Sequence, residues 1–444
     1  MATYLYRDVN QTATNHDKCT ISMWVKKTVN GTEETLISGH NSDYSRFKIR
    51  FRNDDKLDAE VGYGGSWYSL ITNRIFRDSN AWIHIVMAYD TSQGTASDRA
   101  KMYINGVQET SFATENYPPQ NNDIYLVRDT AHTAIGRYYY NGNYYGQFTG
   151  LMSHVHVVDG TMYDASAFGS TDSTTGEWKI NTSPSITMGN NGFTVLKDGI
   201  TYTDQSANSN NFTLSGTLTK TEDCPSDNFS TLISIYQSNP TGGFTNSLTT
   251  AISNDDSTWR SAFSSIATPP SGKYYCELKW SSGSHLIWGA VSAPTTAKNN
   301  FKDLTDSYTG EYISMYGANW YNKNSSQGTY ESGIQLTSGN IGMMAIDRDN
   351  NKIWWGLNGA WGGSQNPATN TGGQSLPGDL DEFWHFAIST YSNSGAGVYQ
   401  FNYGNGYFGT TQITSEGTNA SGIGKFEFNV PSGFTALSTK GLNE

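Results

Sequence analysis

The sequence predicts an all-β chain built as two tandem antiparallel β-sandwiches, and three observations carry that expectation. Apolar and polar residues alternate with a period of two in segment after segment. No stretch holds the roughly 3.6-residue period of an amphipathic helix beyond one or two turns, Asp164 to Phe168 coming nearest. Asn, Asp and Gly clusters punctuate the alternation. A period of two places successive side chains on opposite faces of a sheet, the pattern of antiparallel strands with one buried face. Composition agrees: charged residues are 15% of the 444, against roughly 25% in ordinary soluble domains, and Asn, Ser, Thr, Gly and Tyr take their place.

Taken in order, Cys19 to Val25 (CTISMWV), Ser45 to Phe51 (SRFKIRF) and Trp82 to Tyr89 (WIHIVMAY) read as half-buried strands. Asn53-Asp54-Asp55, Asn105-Gly106, Asn141-Gly142 and Asn358-Gly359 supply the positive φ angles of tight hairpin turns. Composition shifts once, over residues 216–245, where TLTKTEDCPSDNF and QSNPTGG place Pro and Gly between two strand-rich blocks. The expected organisation is a sandwich over 1–225, a linker over 226–240 and a second sandwich over 241–444. No repeat of 20 to 50 residues and no heptad pattern is present, which excludes propeller, solenoid and coiled-coil architectures.

Charge and hydropathy exclude further classes. Lys plus Arg number 28 against 40 Asp plus Glu, a net charge of −12. With no basic run to displace counterions, no nucleic-acid partner is expected. The apolar runs are strand-sized, far short of the roughly 20 residues a spanning helix needs, so no membrane insertion is expected. MATYLYRDVNQ has neither a basic n-region nor an apolar h-region, so synthesis and folding in a cytoplasm are expected. Cys19, Cys224 and Cys276 are odd in number and far apart, which fits reduced thiols better than disulfides or a zinc site.

In the first block, CTISMWVKK, SNAWIHIVMAYDTSQGTASDRAKMYINGVQ, TAIGR and GLMSHVHVVDG follow the order of a laminin G-like or concanavalin A-like lectin sandwich, through Trp82, Asp90, Tyr103 to Gly106 and Gly150. Phe193 to Leu214 resembles the strand and Asp-x-Ser turn with which such domains usually begin. Its late position implies a circularly rearranged sandwich closed by that strand. In the second block, GKYYCELKW, HLIWGAVSA, GNIGMMAIDRDNNKIWWGLNGAW, FWHFAIST and YQFNYG resemble a SPRY domain, through Gly272 to Glu277, Gly342 to Asp347, Trp354 to Gly359 and Phe401 to Gly404. The whole chain is similar to structural proteins of tailed bacteriophages, especially marine ones. That resemblance implies a virion surface protein (tail fibre, head fibre or decoration protein) with other virion proteins as partners, a homo-oligomer such as a trimer, and a host-surface glycan as ligand. A purely structural role is the alternative, and a polysaccharide depolymerase a remote one.

Glycan binding needs aromatic faces for sugar rings beside amides or carboxylates for hydroxyls. Tyr138, Tyr139, Tyr140, Asn141, Tyr144 and Tyr145 offer both around one hairpin turn, although alternation buries every second residue of such a run. In the second block Asn319, Trp320, Tyr321 and Trp361 read as loop residues where SPRY domains usually make partner contacts. Adjacent Trp354 and Trp355 point to opposite faces, which would put one in the core and the other exposed or under a neighbouring chain; a core-only role for the pair is the reading preferred.

His154 and His156 share a strand face with Asp159 three residues on, but no third ligand of clear spacing follows, so no metal is expected. Asp347 to Asn351 imitates a calcium loop, yet Lys352 and Asn358 stand where Gly and Glu are required, so a hairpin turn is expected. A calcium ion in the first block would draw on Asp90 or Asp98, which no spacing singles out. Catalysis is not expected, because the Glu-x-Asp-x-(x)-Glu face of sandwich glucanases is missing and Asp379-Leu380-Asp381-Glu382 reads as a loop. No cofactor is expected.

Overall fold

The computed structural model describes residues 3–42, 45–140, 142–233, 242–254, 259–293, 310–323, 325–393 and 395–443. The chain divides into two compact units, Met1–Lys220 and Thr221–Glu444, and each is an antiparallel sandwich, as the alternation predicts. Among the described residues no helix is long and apolar enough to cross a membrane. Asp164 to Phe168 makes one short 3₁₀ turn, with Asp164 capping the Ser166 amide.

In the first unit one sheet runs, from edge to edge, through Phe112–Glu115, Ser66–Ile75, Lys56–Tyr63, Ser45–Phe51, Glu34–Ser42, His132–Ile135, Tyr4–Asp8 and Thr213–Ser215. The other runs through Phe193–Val195, Leu151–Asp159, Lys18–Lys26, Trp82–Asp90, Ala100–Ile104 and Val107–Gln108. Ile21, Met23, Val25, Ile85 and Met87 from the second sheet meet Phe47, Ile49, Phe51, Leu57 and Val61 from the first in one core. The late segment seats one strand on each sheet: Phe193–Val195 pairs with Leu151–Asp159, and Thr213–Ser215 pairs with Tyr4–Asp8. It therefore covers two edges that would otherwise expose unpaired backbone.

In the second unit one sheet carries Thr250–Ser253, Gly397–Asn402, Lys273–Ser282, Ile341–Asp347 and Lys352–Leu357, and the other Arg260–Phe263, His385–Tyr391, His285–Val291, Tyr312–Tyr316, Asn319–Asn322 and Ser325–Thr329. Cys276, Leu278, Met344, Ile346 and Trp355 meet Trp288, Ile313, Met315, Phe386 and Ile388 between them. Where composition suggested a linker, residues 226–232 instead pack into this unit. Phe229 bridges Ser438, Leu232 bridges Ser264, and both side chains are buried. Residues 234–240 of that segment lie outside the described residues.

Trp354 and Trp355 are both fully buried, as the core-only reading of the pair expects, and neither is exposed. Trp355 faces the inter-sheet core. Trp354 points to the other side of its sheet, where Ile423, Phe426, Val430 and Phe434 from the chain's own C-terminal segment cover it. Glu277 ties that cover down: its carboxyl accepts from the amides of Glu427 (2.9 Å) and Phe428 (2.8 Å), from Tyr275 Oη (3.1 Å) and from Asn402 Nδ2 (3.1 Å).

Candidate functional site

The strands Ser45–Phe51 and Lys56–Tyr63 turn Phe47, Ile49, Phe51, Leu57, Ala59 and Val61 into the core. Alternation therefore sends Arg46, Lys48, Arg50, Asp58, Glu60 and Gly62 to the opposite face. There Arg46 Nε lies 3.0 Å and Lys48 Nζ 3.4 Å from Glu60, while Arg50 Nη2 lies 2.9 Å from Asp58. Burial pushes the Lys48 ammonium down, with Glu60 opposing, and the Asp58 carboxyl up, with Arg50 opposing. Asp58 and Glu60 are a same-face carboxylate pair, a feature not singled out in the sequence. Four cations, Arg46, Lys48, Arg50 and Arg52, pair with them, and both are buried.

Trp67 sits at the rim of this charged face. It is the cross-strand partner of Gly62, and its indole lies over that glycine so closely that a Cβ there would fall 2.0 Å from the ring. The Arg46 guanidinium carbon lies 3.5 Å from the ring centroid, and the residue remains 36% exposed. Gly62 against the indole and the Arg46 guanidinium stacked over its face hold a flat ring in place while leaving part of it to solvent. Tyr138 and Tyr140 continue the surface: they stack at 6.0 Å, Arg46 lies 5.6 and 6.0 Å from their centroids, and Arg46 Nη1 donates to Tyr138 Oη at 3.0 Å.

The tyrosine hairpin is thus largely a lid on the sheet. Tyr138–Tyr140 pairs with Asn143–Tyr145, and Asn141 lies outside the described residues. Tyr138 is buried against Lys48 and Arg46. Tyr139 and Tyr144, directly opposite one another, pack on His132 at 4.7 and 6.1 Å, and Tyr144 also packs on Tyr4 at 4.3 Å. His132 bridges Asp8 (2.7 Å) and Tyr144 Oη (2.9 Å). Tyr140 is half-buried and Tyr145 is 49% exposed. Among the described residues the exposed aromatic side chains of the unit are Tyr63 (46%), Trp67 and Tyr145, with Tyr140 half-buried.

Residues 3–166 match the family model described as the concanavalin A-like lectin/glucanases superfamily. That lectin-like region contains Trp67, the charged face and the hairpin. Among solved structures the chain is similar to the heptameric SAP-like pentraxin of Limulus polyphemus, with 16% identity over 36% of this chain and 72% of that one and a TM-score of 0.28. It is also similar to the SPRY domain of human HERC1, at 16% identity, 32% and 82% coverage and a TM-score of 0.23. A third is the CBM40 of the Ruminococcus gnavus IT-sialidase bound to alpha2,3 sialyllactose, at 15% identity, 33% and 85% coverage and a TM-score of 0.24. A comparison with curated proteins finds no match.

The second-unit candidates are placed differently from the loop expected for them. Asn319, Trp320 and Tyr321 belong to a strand, Asn319–Asn322, paired on both sides, and all are half-buried. Trp320 packs on the inter-sheet core. Trp361 is half-buried against Tyr275, at 6.3 Å between centroids, under the C-terminal cover. Trp320 and Trp361 thus pack on different clusters of this unit.

On the other sheet of the lectin-like region His84 stacks between Trp24 (4.8 Å) and Trp178 (6.0 Å). The indole N–H of Trp178 donates to its Nδ1 at 2.9 Å, so Nε2 carries the proton toward Ser22 Oγ, also at 2.9 Å. His156 bonds Thr194 and His154 bonds Ser153, their rings 6.2 Å apart across a bulge where His154 has φ +49°. Burial pushes His84 and His156 down to about 3 and His154 to about 4, so all three are neutral near pH 7. Asp159 accepts from the amides of Thr14, Asn15 and Asn191 rather than facing those rings. Asp90 is held by Lys18, Ser92 and Gln93. Among the described residues His16, Asp17 and Asp123 come close enough to share an ion, but Arg128 already pairs with Asp123. Asp347 to Asn351 forms the expected hairpin turn, with Asp347 accepting from the Asn350 amide at 2.9 Å.

Proposed function

We propose that the lectin-like unit binds carbohydrate on the platform formed by Trp67, Tyr140 and Tyr145, and that the chain is a non-catalytic virion surface protein presenting this platform to host-surface glycan. The observation that carries the proposal is Trp67: a flat ring fixed by Gly62 and Arg46 and left 36% exposed. A sugar ring stacks its C–H face on such a surface at little entropic cost, because the indole is already immobile. Neutralisation of Asp58 and Glu60 supports binding without turnover. The sequence resemblance to tailed-phage structural proteins supports the virion setting, in which many copies, arranged for example as trimers, raise weak single-site affinity through effective concentration.

The test is binding of the purified protein to a glycan array and to whole host cells, beside Trp67→Ala and Tyr140→Ala. Saturable binding that falls about tenfold or more in Trp67→Ala is the expected result. Binding that survives both substitutions overturns the platform. A structural reading, with the modules contacting only other virion subunits, is favoured by one observation: Tyr138, Tyr139 and Tyr144 already make their contacts within the chain. It predicts no binding to cells or glycans by a chain that still assembles onto particles lacking it.

A further inference from the structure

In the second unit Leu380 is 67% and Phe383 55% exposed, within Asp379-Leu380-Asp381-Glu382-Phe383, and they are the large apolar side chains left open there among the described residues. The loop that carries them is held from below. Arg348, only 2% exposed, donates from Nη2 to the carbonyl oxygens of Leu380 (2.9 Å) and Glu382 (2.8 Å). Buried Trp384, next in sequence, exchanges two backbone hydrogen bonds with Thr268. A buried guanidinium between two carbonyls fixes the loop, so the ordering entropy of its backbone is lost on folding and not on binding.

The rim of this pair is acidic. Asp379, Asp381 and Glu382 flank it, and a Cβ at Gly378 would touch both Glu382 and Glu311. Among the described residues no Lys or Arg forms a salt bridge with Asp379, Asp381 or Glu382, whereas Glu311 is paired with Lys323. Burial and the like charges of Glu311, Asp379 and Asp381 push the Glu382 carboxyl up, with Arg348 opposing. Arg348 offsets part of the Glu382 charge, which leaves exposed Asp379 and Asp381 as the net negative rim of two preset apolar side chains, a rim that repels an anionic membrane and equally the same face of a second copy.

We propose that Leu380 and Phe383 are the paired anchors of a docking surface for a protein partner that offers an apolar pocket ringed by Lys and Arg. This surface belongs to the second unit and does not depend on the sugar platform. The probe is a labelled peptide of alternating Leu, Lys, Phe and Lys, compared by fluorescence anisotropy with a Ser–Lys peptide of equal charge and an uncharged Leu–Ser peptide, all against the full chain. The alternating peptide is expected to bind about tenfold or more tightly than either control, and to lose about tenfold or more in Leu380→Ser/Phe383→Ser. Asp379→Asn/Asp381→Asn should weaken binding and flatten its salt dependence, while Val107→Ser, an equally exposed apolar site in the first unit, should leave it unchanged. These side chains point to solvent, so circular dichroism should show all variants folded. Equal binding of the Ser–Lys peptide, or unchanged binding by the Leu380/Phe383 variant, overturns the proposal. So does self-association of the full chain that the same variant abolishes, because the occupant is then a second copy.

Discussion

Two sites, one in each unit, bury carboxylates in opposite ways. In the first, charge is matched by charge: fully buried Lys27 lies 2.5 Å from Asp55, and Arg46, Lys48 and Arg50 are laid over Asp58 and Glu60. In the second, Glu277 is equally inaccessible but faces only neutral donors, two backbone amides, a phenol and an amide side chain. Between Asp55 and Glu277 the electrostatic consequence differs in sign. Burial of Asp55 is outweighed by Lys27, Gly31 and Arg77, and its carboxyl is held below the usual range, whereas burial wins at Glu277 and lifts it to about 7. A carboxylate tied to a buried cation cannot lose its charge without stranding the cation. One tied to neutral donors can.

The largest expected effect follows from that contrast. Asp55→Asn leaves Lys27 buried without a counter-charge and should destabilise the first unit by about 3–5 kcal/mol. Glu277→Gln removes a costly charge but turns an NH2 toward two of the four donors, so it should change the second unit by about 1–3 kcal/mol, less than Asp55→Asn changes the first. Urea unfolding read by hydrogen exchange in each unit checks both, and equal losses would break the comparison. Trp354→Ala and Trp355→Ala should each cost about 3–5 kcal/mol, the first also exposing the amides of residues 423–434 to exchange while Trp355→Ala does not.

Acid sharpens the contrast next. The folded-state values of His84 and His156 are depressed from 6.5 to about 3, so their contribution is present above pH 6.5 and lost as pH falls toward 3. At pH 5 that amounts to about 2 kcal/mol per ring. Glu277 is raised from 4.5 to about 7, so its contribution is full below pH 4.5 and lost as pH rises through 7. In the second unit His285 and His385 are also lowered by burial and oppose it, so the Glu277 part is read as the difference between the chain and Glu277→Gln. Thermal melts at pH 5 and pH 8 should show the first unit losing at pH 5, with the Glu277→Gln difference largest at pH 8. The smallest stability effect is expected at Trp67, where removing a part-exposed ring should cost under about 1 kcal/mol while binding is lost.

Strands with clean alternation were legible from sequence: Cys19 to Val25, Ser45 to Phe51 and Trp82 to Tyr89 each fall inside an observed strand. Asn319–Asn322 was not, because four half-buried residues of mixed polarity carry no period. Covering of Trp354 depends on residues some 70 positions later in the sequence, a contact no local pattern encodes. Trp67 escaped for a related reason. Its importance lies in Gly62 across the hairpin and Arg46 one strand further on, and alternation reports which face a residue takes but not what stands beside it.

The account turns on which unit supplies the sugar surface. Binding isotherms of the full chain, Trp67→Ala and Trp320→Ala for one array-positive glycan test it most directly. Loss of about tenfold or more with Trp67→Ala and none with Trp320→Ala is the predicted result. Undiminished binding by Trp67→Ala, with loss in Trp320→Ala, would contradict it.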